Sequence, residues 1–438
     1  MEIKYWNSVE DIENSNTQNK LASTDHDHNE LGLLSEELQA AKSSRRDFLK
    51  MCGFSLSAAA FAASCKAPVQ KAIPYLIKPE EVTPGVANYY ASTMLSGTEY
   101  ASVLVKTREG RPIKIEGNDQ SSLSNGGSTA RVQASVLDLY DDARLKSPMI
   151  KNKKAKWDDI DKAITSQLAK EDANNVLLTS SNCSPSTRQM IQELLDKYPG
   201  TEWIVYDAVS YAAILDANNK NFANRMIPDY RFDKANYILS FAADFLGTWL
   251  APATFAYRYA ESRRVSPENP AMSKHIQFES GMSLSGSNAD ERIALKTSAI
   301  KKAVFSLYQI LKGASKTDSP IDMTPYAKAL LANKGKAIVL SGINDIEVQL
   351  TINAINDLLD NYGNTLDIEN PWLTAQSDDQ AMKDLIERMN NAEVQSLIMY
   401  DCNPAYDFAQ SESFIKGLEQ LDFTASLAYR MDETATLC

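Results

Sequence analysis

The side chains that could hold a metal or act as nucleophiles are few and scattered. Five cysteines, Cys52, Cys65, Cys183, Cys402 and Cys438, lie too far apart for the close spacing of a zinc site or a cluster-binding loop. Of the three histidines, His26 and His28 sit in a polar leader, so a histidine-rich metal site is excluded by counting. His275 opens the apolar-alternating run His275-Ile276-Gln277-Phe278-Glu279 and reads as an ordinary strand residue. Cys183 follows a strand, where α/β proteins place nucleophiles, but has no candidate base to activate it. The Ser285-Gly286-Ser287-Asn288 turn could cradle a phosphate at a helix start. With Asp290 and Glu291 read into the first turn, a plain cap is the better reading. Lys and Arg total 45 against 57 Asp and Glu, so no basic surface for nucleic acid is expected.

These residues need elements to position them, and 438 residues suggest two or three domains. Ala101 to Lys106 and Pro112 to Glu116 alternate about a Glu109-Gly110 turn, which predicts a hairpin with Ile113 and Ile115 on one face. Residues 85–150 then form a small, largely β unit. Beyond Trp157, strands alternate with helices. Strands are expected at Asn175 to Thr179, Trp203 to Tyr206, Tyr237 to Phe241, Ala337 to Gly342, Gln395 to Tyr400 and Phe423 to Leu427. Ser184-Pro185 supplies a cap and a first-turn proline for a helix carrying Met190, Ile191, Leu194, Leu195 and Tyr198. A further helix is expected from about Asp345 to Tyr362. The fold class is α/β, with two Rossmann-like parallel-sheet units at 151–320 and 321–438.

Ahead of this, Ser44-Arg45-Arg46-Asp47-Phe48-Leu49-Lys50 matches the twin-arginine export signature, with Phe48 and Leu49 in register. The Ala- and Ser-rich stretch from Met51 to Ser64 is shorter than the ~20 residues of a bilayer span. It fits the apolar region of a secretory signal. Ala62-Ala63-Ser64-Cys65 resembles a lipoprotein cleavage box, although Ala62 stands where Leu is usual. Lipidation of Cys65 is favoured; an ordinary cleavage site and a retained leader are the alternatives. Residues 1–64 thus read as a disordered leader plus signal, and 65–84, with Pro68, Pro74, Pro79 and Pro84, as a linker from a lipid anchor. The expected location is the periplasmic face of the inner membrane.

Five blocks, in order, resemble the molybdopterin oxidoreductase superfamily. They are Lys106 to Asn118 (its signature hairpin), Tyr140 to Pro148, the tryptophan-led Trp157 to Ala163, Cys402-Asn403-Pro404-Ala405-Tyr406, and Asp432-Glu433-Thr434-Ala435. The block from Gly281 to Arg292 and the variant leader, with Lys4-Tyr5-Trp6-Asn7-Ser8 at its start, resemble more narrowly the molybdopterin-oxidoreductase-like iron–sulfur subunit of alternative complex III, a quinol:cytochrome c oxidoreductase. The resemblance implies the formate dehydrogenase or DMSO reductase type of fold, here a front fragment truncated at its C-terminus. It also implies membrane quinol-binding subunits, multihaem cytochrome c subunits and the chain's own downstream ferredoxin-like domain as partners. The [4Fe–4S] and [3Fe–4S] clusters are expected in that downstream segment.

The departures decide the chemistry that the resemblance implies. Catalytic relatives place three cysteines before the hairpin and a fourth after it; here Ala91 to Tyr100 and Ser128 to Arg131 contain none. The metal-ligand position falls at Tyr206, a degenerate ligand, with Asp207 or Ser210 as possible substitutes. The expectation is a scaffold with no cofactor of its own. An active molybdopterin-dependent reductase of the polysulfide or DMSO type, and an exported ligand-binding lipoprotein, are the alternatives.

Overall fold

The computed structural model describes residues 82–438, apart from 98, 171–172 and 268–269. The export signal (Arg45, Arg46, Phe48, Leu49), the anchor Cys65 and nearly all of the expected leader and linker lie outside the described residues.

Asn88–Ser96 (β1), Glu99–Arg108 (β2) and Arg111–Gly117 (β3) form an antiparallel three-stranded sheet. The expected hairpin is its second half. Glu109 and Gly110 have φ of 46° and 75°, the left-handed pair that a two-residue hairpin loop requires. The register slips between Lys106↔Lys114 and Thr107↔Pro112. Pro112 has no N–H to give to the ladder, so a bulge is tolerated there. The expectation that Ile113 shares the face of Ile115 therefore fails: Ile113 is 48% exposed and Ile115 only 5%. Ala101, Val103 and Ile115 pack on Val132 of a short helix, Ala130–Ala134 (α1).

Two minimal strands, Met149–Ile150 (β4) and Lys153–Lys154 (β5), lead into Trp157–Leu168 (α2). Asn175–Thr179 (β6) follows, then Pro185–Lys197 (α3) and Thr201–Val205 (β7). Ser184 caps α3 by accepting from the Thr187 N–H, with Pro185 in the first turn. Ile191 is buried, with Leu194, Leu195 and Tyr198 packed beside it. Met190, a neighbour at 100° rather than one turn away, is 69% exposed and does not belong to that face.

Next come Ala212–Phe222 (α4), Ile227–Tyr230 (β8), Tyr237–Phe241 (β9), Pro252–Arg263 (α5) and Lys274–Glu279 (β10). Leu284–Ser287 (α6), Glu291–Ala294 (β11), Thr297–Leu311 (α7), Thr324–Ala332 (α8) and Ala337–Ser341 (β12) follow. The chain closes with Ile346–Leu358 (α9), Leu366–Trp372 (β13), Asp379–Asn390 (α10) and Ser396–Tyr400 (β14). Pro404–Asp407 (α11), Ser411–Leu418 (α12), Phe423–Leu427 (β15) and Glu433–Thr436 (α13) complete it.

Two four-stranded parallel sheets result, in the orders β15-β14-β6-β7 and β11-β10-β9-β12, while β8 and β13 form an antiparallel pair. Both parallel sheets are covered on both faces. In the first, Val176, Leu178, Leu397 and Met399 meet Met382, Leu385 and Phe414, while Leu177 and Ile398 meet Leu168 and Ile191. In the second, Leu239, Phe241 and Val339 face α7, α8 and α9, and Ile238, Ile338 and Leu340 face the aromatic cluster around Phe232 and Phe255. Burial on two sides is why these strands read as continuous apolar runs.

The division at residue 320 does not coincide with the sheets. β14 pairs with β6 in the register Ser396↔Asn175, and β12 pairs with β9. The second sheet is thus inserted within the first. Alternation reveals that a strand is buried, not which distant strand completes its ladder. Among the described residues no helix is long and apolar enough to cross a membrane.

Candidate functional site

Both parallel sheets direct their carboxyl ends at one cleft of about 870 Å³, the place where open α/β sheets bind ligands. Ser180 follows β6, Tyr206 and Asp207 follow β7, Ala242 follows β9, Gly342 follows β12, and Asp401 and Cys402 follow β14. The small β unit contributes Glu99 and Arg131. Ala242 and Asp401 are left-handed at φ 57° and 56°, a conformation costing a non-glycine residue about 1–3 kcal/mol. At Gly342 the strand tails touch: a Cβ there would stand 2.3 Å from the Ala242 carbonyl oxygen. Gly342→Ala should therefore lower stability by about 1–3 kcal/mol through overpacking, read as a reduced urea midpoint.

Tyr206, Asp207 and Ser210 all line this cleft, and each is already committed. The Tyr206 hydroxyl donates to Asp407 Oδ1 at 2.8 Å, and its ring meets Phe408 edge to face. Burial first, then the Asp407 hydrogen bond and charge, hold this phenol above its ordinary range, so it keeps its proton. Asp207 accepts from the Ser181 N–H and hydroxyl; burial outweighs these bonds and raises its pKa. Ser210 Oγ accepts from the Ala212 N–H at 3.0 Å, at the start of α4. The Cys402 thiol, which sequence reasoning placed only in an Asn-Pro loop, also lines the cleft. It donates to the Leu178 carbonyl, and burial pushes its pKa up.

Motifs far apart in sequence converge here. Asn403 Oδ1 accepts from the Thr434 N–H at 3.0 Å, and Thr434 Oγ1 accepts from the Ala405 N–H at 3.0 Å, joining the Asn-Pro block to the Asp-Glu-Thr-Ala block. The two segments that the resemblance aligns with cluster cysteines also meet. Their contact is ionic: Arg131 Nε donates to Glu99 Oε2 at 2.7 Å, and Thr129 donates to the same carboxylate. Glu99 is 3% exposed. A buried carboxylate held by a guanidinium offers no thiolate, so an iron–sulfur cube does not fit these residues. The phosphate that molybdopterin carries fares no better. The cleft presents Asp207, Asp244, Asp401, Asp407 and Asp432 besides Glu99, against Arg131 and Arg430.

The Ser285 turn is a cap, in a different place from the one expected. Leu284–Ser287 is itself the short helix, Ser283 caps it, and Asp290 and Glu291 lie beyond its end rather than in its first turn. Its donors are taken: Ser285 N and Oγ bind Asp244 Oδ1 at 2.9 Å, and Ser283 binds Glu279. A phosphate would meet two carboxylates there. His275 is a fully buried strand residue between the Tyr259 hydroxyl and Gln277 Oε1, both at 3.2 Å. Cys183 lies apart in a pocket of about 270 Å³ beside Trp372 and Thr374. The carboxylate there, Asp229, is tied to Arg258 and Trp372.

No family model matches the chain. It is 22% identical over 391 residues to the menaquinone reductase, molybdopterin-binding-like subunit of Nitratidesulfovibrio vulgaris, covering 77% of this chain and 55% of that protein. Among solved structures, a chain of the formyltransferase/hydrolase complex from Methylorubrum extorquens matches at TM-score 0.47 with 15% identity, over 66% of this chain and 84% of that one. Acetylene hydratase from Pelobacter acetylenicus matches at TM-score 0.54 with 11% identity, over 80% of this chain and 60% of that one. The chain thus spans little more than half the length of the curated relative and of acetylene hydratase. It shares with acetylene hydratase a mixed α/β fold built on parallel sheets, and its sequence is similar to that of a molybdopterin-binding-like subunit.

Proposed function

We propose that this chain is a cofactor-free scaffold of a respiratory quinone oxidoreductase, with the molybdopterin-oxidoreductase-like fold retained and its redox chemistry discarded. What supports this reading is the residues at the two positions that the resemblance aligns with redox centres. A protonated Tyr206 bound to Asp407 stands where the resemblance puts the metal ligand, and the Glu99–Arg131 pair joins the segments where it puts the cluster thiolates. The likeness to a menaquinone reductase subunit favours a membrane-associated respiratory assembly. In the finer form, the assembly is a quinol:cytochrome c oxidoreductase of the alternative complex III type. Quinol-binding and multihaem subunits are then the partners, and the iron–sulfur clusters lie in a following ferredoxin-like segment. The chain is exported through Arg45 and Arg46 and held at the periplasmic membrane face by Cys65.

Metal and pterin analysis of the purified chain tests the central claim. Molybdenum far below one atom per chain, with no pterin fluorescence after acid oxidation, is the expected result. Stoichiometric molybdenum or pterin overturns it. Mass spectrometry of the mature N-terminus tests the anchor separately, since a diacylglyceryl adduct at Cys65 is expected.

A further inference from the structure

We propose that the β4–β5 hairpin, together with the start of α2, is a contact site for an anionic phospholipid surface. This rests on the part of the reading above that places the chain at a membrane, and it adds a second point of attachment besides Cys65. The chain as a whole is acidic, yet between Asp142 and Asp158 stand Arg144 and five lysines, Lys146, Lys151, Lys153, Lys154 and Lys156, with no acidic residue among them. All five lysines are exposed, and none is in an ion pair among the described residues. Two large apolar side chains stand in the same stretch. Ile150 is 41% exposed, and Trp157, the first residue of α2, is 67% exposed. Asp158 and Asp159 follow in the first turn of α2, where the helix dipole favours them, and no ion pair joins them to the lysines.

The hairpin fixes this stretch in place. Met149 pairs with Lys154 and Ile150 with Lys153, and the Ala155 N–H closes the base on the Pro148 carbonyl at 2.9 Å. Cross-strand partners share a face, so Ile150 lies beside Lys153. The two-residue loop is Lys151-Asn152, at φ 49° and 61°. Asparagine or glycine is usual in that left-handed backbone and lysine is disfavoured, so the tip carries its charge against local preference. Anionic headgroups attract lysines held close to them, and the headgroup layer takes up indole rings. Lysines for the headgroups, with Trp157 and Ile150 for the acyl boundary, match such an interface in both respects. A nucleic acid would need a longer basic track than one hairpin. An acidic protein matches the lysines but leaves the two apolar side chains unexplained. The negative charge of the rest of the chain acts weakly beyond a Debye length, about 8 Å at physiological ionic strength.

The test uses the full chain carrying Cys65→Ser, so that no acyl chain holds it, and vesicles of phosphatidylglycerol and phosphatidylcholine with pure phosphatidylcholine as comparator. Binding is read at Trp157 itself, as the fluorescence quenching by acyl-brominated lipid that is lost in Trp157→Phe, so that the other tryptophans and the leader cannot supply the signal. Quenching is expected with the anionic vesicles and should fade as salt is raised. Lys153→Gln combined with Lys154→Gln should raise the lipid concentration needed for it by about tenfold. These side chains are exposed, and an unchanged circular dichroism spectrum checks that the fold is kept. No quenching at Trp157, equal quenching by pure phosphatidylcholine, or no effect of the lysine substitutions overturns the proposal. A labelled glutamate–alanine peptide that binds through these lysines, with Trp157 unquenched by either vesicle, assigns the hairpin to an acidic protein partner and overturns it too. Failure here leaves the scaffold reading and the Cys65 anchor standing, because metal and pterin analysis and the mass of the N-terminus decide those separately.

Discussion

Asp229→Ala is expected to cost about 3–5 kcal/mol, enough to lower the melting temperature by many degrees. Asp229 lies on β8, where Oδ1 accepts from both Arg258 Nη1 and Trp372 Nε1, the latter at 2.7 Å. The side chains of Arg258 and Asp229 are 11% and 12% exposed. This carboxylate therefore ties α5, β8 and the irregular β13 together. Removing it leaves the indole N–H without its acceptor and the guanidinium with only the Tyr230 carbonyl and Asp233, 4.0 Å away, and the loss of the close counter-charge dominates. Asp216→Ala is the control, because Asp216 is more exposed and its loss from the Arg225 pair should cost less than about 1 kcal/mol. Urea denaturation of both variants checks the argument. Equal losses would mean that the buried carboxylate does not hold this seam.

The second large effect is on pH dependence. Burial drives the pKa of His275 from its ordinary 6.5 down to about 4. The groups around it oppose one another. Gln277, Asp290 and Glu279 favour the charged ring, while Arg263 disfavours it, and the Tyr259 hydroxyl sits on the other ring nitrogen. The unfolded chain takes up a proton here below about pH 6.5, which the folded chain refuses until about pH 4. Stability is therefore intact above pH 6.5 and is lost as pH falls toward 4, by up to about 3 kcal/mol from this residue. Asp207, Asp401 and Asp407 act in the opposite sense. Their raised pKa values favour the folded state at low pH and are lost as pH rises. Because those carboxyls are common to both proteins, the difference between the natural chain and His275→Gln isolates the histidine. The slope of stability against pH between 6.5 and 4.5 should shrink by about one proton in the variant. Parallel slopes would refute a buried neutral imidazole.

Much of the framework was legible because buried parallel strands leave unbroken apolar runs. Asn175–Thr179 and Tyr237–Phe241 fall where the runs place them. β1 was not legible. Tyr89 and Tyr90 are about half exposed, so no buried face stands out in its sequence. β8 and β13 were hidden for another reason: Pro228 and Pro371 interrupt them, and their register is irregular. The cleft was legible through Tyr206, Asp207 and Ser210, and through the blocks that carry Arg131, Cys402, Asn403 and Asp432. Its other acids, Asp244, Asp401 and Asp407, each stand singly in a loop or short helix, where aspartate is common for local reasons. Only the pairing of β6 with β14 gathers them, and nothing local in the chain encodes that pairing.

The insertion of one sheet within the other has a consequence for how the chain is made. Asn175 and Ser396 are joined by a hydrogen bond although 221 residues separate them. At about 5–20 residues per second, translation delivers the two roughly 10–45 s apart. During that interval the nascent β6–β7 pair keeps an open, apolar flank while the intervening sheet, which has all its own strands, can already consolidate. Synthesis thus reverses the spatial order, finishing the inserted layer before the layer that encloses it. A chaperone that shields the early strands would raise the yield of folded chain without altering its final stability.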